Sequence, residues 1–505
     1  MLASIPSATV LGASGHPVTV EVHVGTGLPG YRIVGMPDTA CRESRDRVRA
    51  AVMSCRGKHW PGQAITVNLA PSGQRKSGTG LDLAIAVGVL VASEQLPPDA
   101  ADGYGFVGEL GLDGTVRRVP GTAPMVAELG DVTAVVAIAA SPEAHVASRA
   151  GVRVAGMLSE VVTALERAAP WPDDPGPEVG PPEAAPADLA DVRGQPVARR
   201  ALELAAAGGH HLLLVGPPGS GKTMLAQRLP GLLPALARER ALEATMIHSA
   251  AGLSLPRGGL VTVPPFRAPH HTSSVVAMVG GGSHALRPGE ISMATGGVLF
   301  LDELGEFPPS VLDGLREPLE EGVIRISRAA THATLPARFQ LVAATNPCPC
   351  GGGPPGSCEC DEVSRSRYLR RFSGPLLDRF DLRVAVGRPS VDDLFDHGGG
   401  ETSAAVAARV AAAREQAFDR AGLLNAALDG PHLDAVAPLT TAARALLRDE
   451  VERERLTGRG YHRVRRVART VADLAGCGDA PVDADHVQVA LALRTRLRPM
   501  AGRAA

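Results

Sequence analysis

Residues 1 to about 165 alternate short apolar runs with turn signals. VTVEVHV, YRIVGM, AITVNLA and VTAVVAIAA read as strands, and the stretch from Leu81 to Glu94 reads as a helix. This first region is therefore expected to be α/β. Residues 169–188, APWPDDPGPEVGPPEAAPAD, hold seven prolines in twenty positions. Such a stretch is stiff, extended and solvated, as a linker over 169–189 would be. From 190 to 388 the runs HLLLV, GVLFLDE and FQLVAATN are short and almost wholly apolar, the pattern of strands buried on both faces of a parallel sheet. Residues 389–505 turn to helical periodicity in TTAARALLRDEVERER and RVRRVARTVADLAG. They read as an all-helical lid, reached through a hinge at GGGETSAA, 398–405. No internal repeat is present.

Composition narrows the classes. A chain of 505 residues can bury several cores, so folding needs no disulfide or metal staple. Hydrophobic residues at 45% and charged residues at 21% exclude wholesale disorder. Fifty-one basic against 53 acidic residues leave a net charge of −2. Contact with nucleic acid then requires a local patch or a ring of subunits. Aromatics at 3% make stacking platforms for single strands scarce. The N-terminus has no basic segment ahead of an apolar core, and no run of about 18 apolar residues occurs, so neither a signal peptide nor a membrane span is expected. Together with seven cysteines, an odd number, this places the chain in a reducing cytoplasm.

The strongest chemical signal is HLLLVGPPGSGKTMLAQRL. Gly216, Pro217, Pro218, Gly219, Ser220, Gly221, Lys222 and Thr223 form a GxxxxGK[ST] phosphate loop between an apolar strand and a helix. Its amides and the helix N-terminus cradle phosphates, Lys222 reaches the β- and γ-phosphates of ATP, and Thr223 ligates Mg²⁺. About eighty residues later, GGVLFLDELGEF ends a strand in Asp302, which can hold Mg²⁺ through water, and Glu303, which can orient the attacking water. FQLVAATNP ends in Asn346, whose amide can meet the γ-phosphate; a simple turn before Pro347 is the alternative. In GPLLDRFDLRV, Arg379 can act as an arginine finger on a neighbouring copy's nucleotide, or pair at the surface with Asp378 or Asp381.

GPPGSGKTMLA, PGEISMATGGVLFLDEL, LVAATNPCPC and GPLLDRFDL together resemble the motifs of the magnesium-chelatase-like AAA+ ATPases. The likeness to the YifB/ComM group extends over FRAPHHTSS and RGYHRVRRVARTVADL to nearly the whole chain. The resemblance implies homo-hexameric rings with ATP sites between subunits. Asn346 is then sensor 1, Arg379 the finger in trans, and Arg459 sensor 2. The group's Leu-Ser-Ala before that arginine is Leu456-Thr457-Gly458 here, which leaves Arg463 as a competitor. The seven arginines from Arg453 to Arg469 would equally suit a solvated helix face or nucleic acid.

The N-terminal third resembles a Lon-protease-like α/β domain. Its serine position falls near Thr79, with Ser77 beside it, and its lysine position at Ala123. Residues 114–131 contain no lysine, so a binding or ring-forming module is expected rather than a peptidase.

Cys348, Cys350, Cys358 and Cys360 could form a structural Zn²⁺ site, although CxC pairs differ from the usual CxxC and free thiols are the alternative. His270 and His271 look metal-like, but neighbours on an extended segment point opposite ways. Two exposed insertions stand out. One spans about 255–290, with Arg267 and the Gly280-Gly281-Gly282 run; the other is the hairpin VIRISRAATHATLPARF, whose first limb carries Arg325 and Arg328. Such hairpins line the ring channel in related branches, where their arginines would meet DNA phosphates. A solvated structural hairpin is the alternative. The functional expectation is a ring-shaped ATP-driven DNA motor promoting branch migration in recombination or natural transformation. The alternatives are a metal-chelatase motor subunit and a protein remodeller.

Overall fold

The first twenty-five residues fold back on themselves. In the computed structural model, which describes residues 1–73, 75–178, 187–282, 286–328, 331–352, 358–372, 374–395 and 400–495 (side chains of 328, 331 and 394 excepted), strands Leu2–Leu11 and Ser14–Gly25 pair antiparallel. Ala64–Ala70 joins antiparallel to the second, and Gly30–Val34 lies parallel on the outside. The helix expected near Leu81–Glu94 is Asp82–Ala92, and every one of its residues is buried. Gly88 lets it settle on the sheet: a Cβ there would stand 2.6 Å from the Val22 side chain. A second, parallel sheet of Tyr104–Val107, Thr133–Ala137 and Val152–Ala155 completes this region.

The described part of the proline-rich stretch, 169–178, is not free in solvent. Trp171 packs on Tyr104 with centroids 5.3 Å apart, and Asp174 accepts from Ser141 and contacts His145. Residues 179–186 lie outside the described set.

The middle of the chain builds a five-stranded parallel sheet. Its order is Phe266–Arg267, Val298–Leu301, Gln340–Thr345, Leu212–Val215 and Leu382–Ala385. All three apolar runs singled out from the sequence are central strands, and each is buried throughout. One correction falls on the supposed insertion at 255–290. Phe266–Arg267 is the fifth strand of this sheet, and the Arg267 guanidinium grips Glu290 at 2.7 and 2.8 Å. A strand of one phenylalanine and one arginine is too short to show periodicity. The second insertion is a hairpin, Val323–Arg328 against Thr331–Pro336, rooted by buried Ile324 and Leu335.

Residues 400–495 are predominantly helical, as expected, with Ser403–Ala421, Thr441–Glu452, Gly458–Leu474 and Ala484–Ala492 as the main helices. Within the arginine-rich stretch Arg453 and Arg455 lie exposed, as on a solvated face, but three others turn inward and present no solvated or DNA-facing side. Arg463 meets Asp381 at 2.6 Å, Arg465 meets Asp434 at 2.7 Å, and Arg469 meets Asp473 at 2.9 Å, all three with guanidinium groups largely shielded from solvent. Sequence alone shows the charges but not the acids folded against them. Among the described residues no helix is long and apolar enough to cross a membrane.

Candidate functional site

The carboxyl ends of the central strands converge on one edge, where ligands bind in open α/β sheets. Strand Leu212–Val215 runs into the phosphate loop, and the Gly216 amide bonds to the Thr345 carbonyl at 3.1 Å. A Cβ on Gly216 would lie 2.0 Å from the Val386 carbonyl oxygen, so only glycine fits. Gly219 and Gly221 take left-handed conformations, φ +75° and +88°, before helix Lys222–Arg228 begins. Lys222 Nζ donates to the carbonyls of Gly216 at 2.8 Å and Pro217 at 2.9 Å, and to Asn346 Oδ1 at 3.3 Å. Desolvation by burial holds the Lys222 amine below its ordinary pKa.

Asp302 follows Leu301 directly. It accepts from the Thr223 hydroxyl at 2.6 Å through one oxygen and from the Glu303 amide at 2.9 Å through the other. Glu303 is left-handed at φ 50°, a conformation that costs a non-glycine residue and recurs at functional turns. A cavity of about 430 Å³ is bounded by Pro218 through Met224, Asp302, Glu303, Thr345 and Asn346. The expected loop, acidic pair and amide thus share one chamber. The donor set suits a triphosphate with a hard cation: backbone amides and an amine for phosphate, a hydroxyl and a carboxylate for Mg²⁺.

The turn after strand Phe266–Arg267 brings in a residue that sequence reasoning set aside. His271 Nδ1 lies 3.1 Å from Glu303 Oε2. His270 does not point the opposite way: the two rings lie 4.1 Å apart at a 35° inclination. The segment is a turn there rather than an extended strand, with the Thr272 hydroxyl 2.8 Å from His270 Nδ1. The signal that could have found His271 is its place just past a sheet strand, beside the strand that carries the acidic pair.

The arginines face elsewhere. Arg379, Arg459, Arg463 and Arg466 line a different cavity, of about 390 Å³, with His211 and Glu320, and none of them lines the phosphate-loop chamber of their own chain. Arg379 pairs with Glu320 rather than with Asp378 or Asp381. Asp378 faces Arg383 at 3.5 Å, and Asp381 is held by Arg463. Desolvation, then the charges of Arg463, Arg459 and Arg316, lower the Arg379 pKa. The two sensor 2 candidates separate. Arg463 donates to the Arg379 carbonyl at 2.8 Å and to Asp381, so it is spent holding the finger loop. Arg459 faces the cavity, and its side chain makes no hydrogen bond or ion pair among the described residues.

The four cysteine sulfurs of Cys348, Cys350, Cys358 and Cys360 lie within 4.8 Å of one another, with Cys348 to Cys350 at 3.4 Å, Cys350 to Cys358 at 3.6 Å and Cys348 to Cys358 at 3.3 Å. Tetrahedral Zn²⁺ with bonds of about 2.3 Å places its sulfurs at similar separations, so the cluster fits that ion. The Gly352 amide, with help from Cys348 and Cys360, pulls the Cys350 thiol down to about 6, toward the thiolate that metals bind.

Arg325 is exposed on its hairpin limb but bonded to Glu317 at 2.9 Å and to Glu321, which blunts its charge. The Arg328 side chain lies outside the described residues. In the N-terminal region, Thr79 donates to Glu109, Ala123 lies buried in the first turn of helix Thr122–Ala127, and the Ser77 hydroxyl has no partner among the described residues. The amine of neighbouring Lys76 is turned to the Pro71 carbonyl, so no Ser–Lys hydrogen bond forms among the described residues.

Comparison with known proteins gives three family matches. Residues 188–394 match magnesium chelatase, subunit ChlI; residues 20–140 match subunit ChlI of Mg-chelatase; and residues 400–494 match the magnesium chelatase subunit ChlI C-terminal family. The chain is 43% identical over 500 residues to YifB of Salmonella typhimurium, covering 98% of this chain and 97% of that protein. It is 41% identical over 506 residues to competence protein ComM of Haemophilus influenzae, covering 98% of each. A shorter stretch is 27% identical over 182 residues to DNA replication licensing factor mcm6 of Dictyostelium discoideum, covering 35% of this chain and 17% of that protein.

Proposed function

The chain belongs to the YifB/ComM family of magnesium-chelatase-like proteins, AAA+ ATPases, and from that premise we propose that it is a homo-hexameric DNA motor that drives branch migration in recombination of incoming DNA. The observation that carries the ring reading is that the phosphate loop and the candidate arginines line two different cavities. Among the described residues no guanidinium lines the phosphate-loop chamber, and no phosphate-loop residue lines the arginine cavity. A ring in which each copy offers its arginines to the next copy's chamber completes both halves.

In that assembled site the phosphate-loop amides and Lys222 hold the triphosphate, with Asn346 fixing the amine. Thr223 and Asp302 would hold Mg²⁺, which would supply neutralisation of phosphate charge. Glu303 orients the attacking water. Arg379 and Arg459 of the adjacent copy meet the γ-phosphate, where charge develops. His271 positions Glu303. Its replacement by alanine is expected to lower kcat roughly tenfold with KM for ATP nearly unchanged, and His271→Asn should recover part of the loss, in steady-state ATPase kinetics.

The cysteine loop, set between Asn346 and Arg379, is read as a structural Zn²⁺ site. One zinc per chain is expected on chelator release and dye titration, and Cys348→Ser should abolish it while leaving ATP binding intact. The N-terminal region is read as a Lon-like module without peptidase activity.

Support for DNA comes from the partial likeness to a DNA replication licensing factor, beside the full-length likeness to a competence protein. The test is ATPase turnover with and without forked DNA, together with strand displacement. Stimulation and displacement support the reading; an assembled, ATP-competent ring that shows neither rejects it.

A further inference from the structure

Helix Thr39–Ser54 and the turn ahead of strand Ala64–Ala70 enclose an open cavity of about 520 Å³ that the nucleotide chemistry does not use. One wall is aromatic. The Tyr31 and Trp60 rings stand 5.7 Å apart, inclined at 45°. The Tyr31 hydroxyl is buried, so the residue offers its ring and not its oxygen. The helix contributes a cationic part of the lining. Arg45 and Arg49 lie one helical turn apart, and Arg42 continues the stripe. Arg42 and Arg49 have no acidic partner among the described residues, and Arg45 has only exposed Asp46 at 4.0 Å. By contrast Lys58, on the same cavity, is committed to the Gln95 carbonyl and to Glu166. Arg47, on the other side of the helix, is bonded to buried Asp82.

Low aromatic content argued against stacking platforms, yet two of the chain's six tyrosines and tryptophans stand on this one wall. Guanidinium groups with at most one distant, exposed acidic partner, in one cavity with an aromatic pair, match a base-and-phosphate ligand: rings stack a base while arginines meet the flanking phosphates. An acidic peptide would satisfy the arginines and leave the aromatic wall unused.

We propose that this cavity is a binding site for a single nucleic-acid strand. The site goes beyond the motor reading; only the choice of DNA as the strand rests on that reading. The experiment is fluorescence titration of the full-length protein with a twenty-nucleotide oligothymidylate, without ATP, over a series of salt concentrations. Trp171→Phe leaves Trp60 as the only tryptophan, and oligothymidylate is expected to quench its emission. Arg45→Glu with Arg49→Glu should weaken binding at least tenfold and flatten the salt slope by about 1.4, the value for two lost single-strand phosphate contacts. An abasic strand of equal length should bind more weakly and leave Trp60 emission unchanged. Unchanged affinity in the arginine double variant, or Trp60 emission that does not respond to oligothymidylate, overturns the proposal. Equal binding of abasic strand or polyglutamate also overturns it, since the cavity would then take any polyanion. None of these outcomes touches ATPase turnover, so failure here and failure of the motor reading are told apart.

Discussion

Glu303→Gln is expected to bind ATP at close to parental affinity and to turn it over about a thousandfold more slowly, within the range lost when a positioned base is removed. The carboxylate sits at the rim of the chamber in a left-handed turn, held by His271 on one side and by the Asp302–Glu303 amide contact on the other. Glutamine keeps the size and the hydrogen-bonding reach but cannot accept a proton from water. The Thr223–Asp302 pair and the Lys222 cradle are untouched, so nucleotide should be retained. Single-turnover hydrolysis alongside equilibrium binding of a fluorescent ATP analogue separates the two effects. A variant that loses binding in parallel with turnover would place Glu303 in the phosphate cradle instead.

Lys222→Ala should act on binding itself. Its amine is drawn into the loop by two carbonyls and Asn346, and burial has already lowered the energetic preference for its charged form. A triphosphate supplies the negative charge that favours the ammonium form. Losing a charge-assisted contact costs about 3 kcal/mol, roughly a hundredfold in Kd, and turnover falls at least as far. Because the Gly216 and Pro217 carbonyls can turn to solvent when the amine is removed, the thermal transition of the unliganded protein should move little. A large fall in stability would show that Lys222 is a structural residue.

Much of this site was readable along the chain because it is built from contiguous segments. The phosphate loop, the Asp302–Glu303 pair and Asn346 each end an apolar run, and parallel strands bring such ends together on one edge. What stayed hidden depends on contacts between distant segments. His271 meets Glu303 across thirty-two positions, and Arg463 finds Asp381 across eighty-two. Composition could not show that the arginines from 453 to 469 divide between exposed surface pairs at Arg453 and Arg455, shielded pairs at Arg463, Arg465 and Arg469, and a cavity lined by Arg459, Arg463 and Arg466. It also could not show that scarce aromatics would gather beside Arg45 and Arg49. The strand Phe266–Arg267 was too short to carry a period and was absorbed into a supposed insertion.

The divided site is the point on which the account turns, and mixing two inactive chains tests it most directly. Lys222→Ala keeps its arginines but has lost its chamber; Arg379→Ala keeps its chamber but has lost its finger. In rings assembled randomly from equal amounts of the two, about one site in four joins an intact chamber to an intact arginine. The mixture is therefore expected to recover roughly a quarter of parental ATPase turnover, while each variant alone stays near zero. A mixture that co-assembles yet is no more active than its components, or an Arg379→Ala ring that keeps full turnover by itself, would contradict the account.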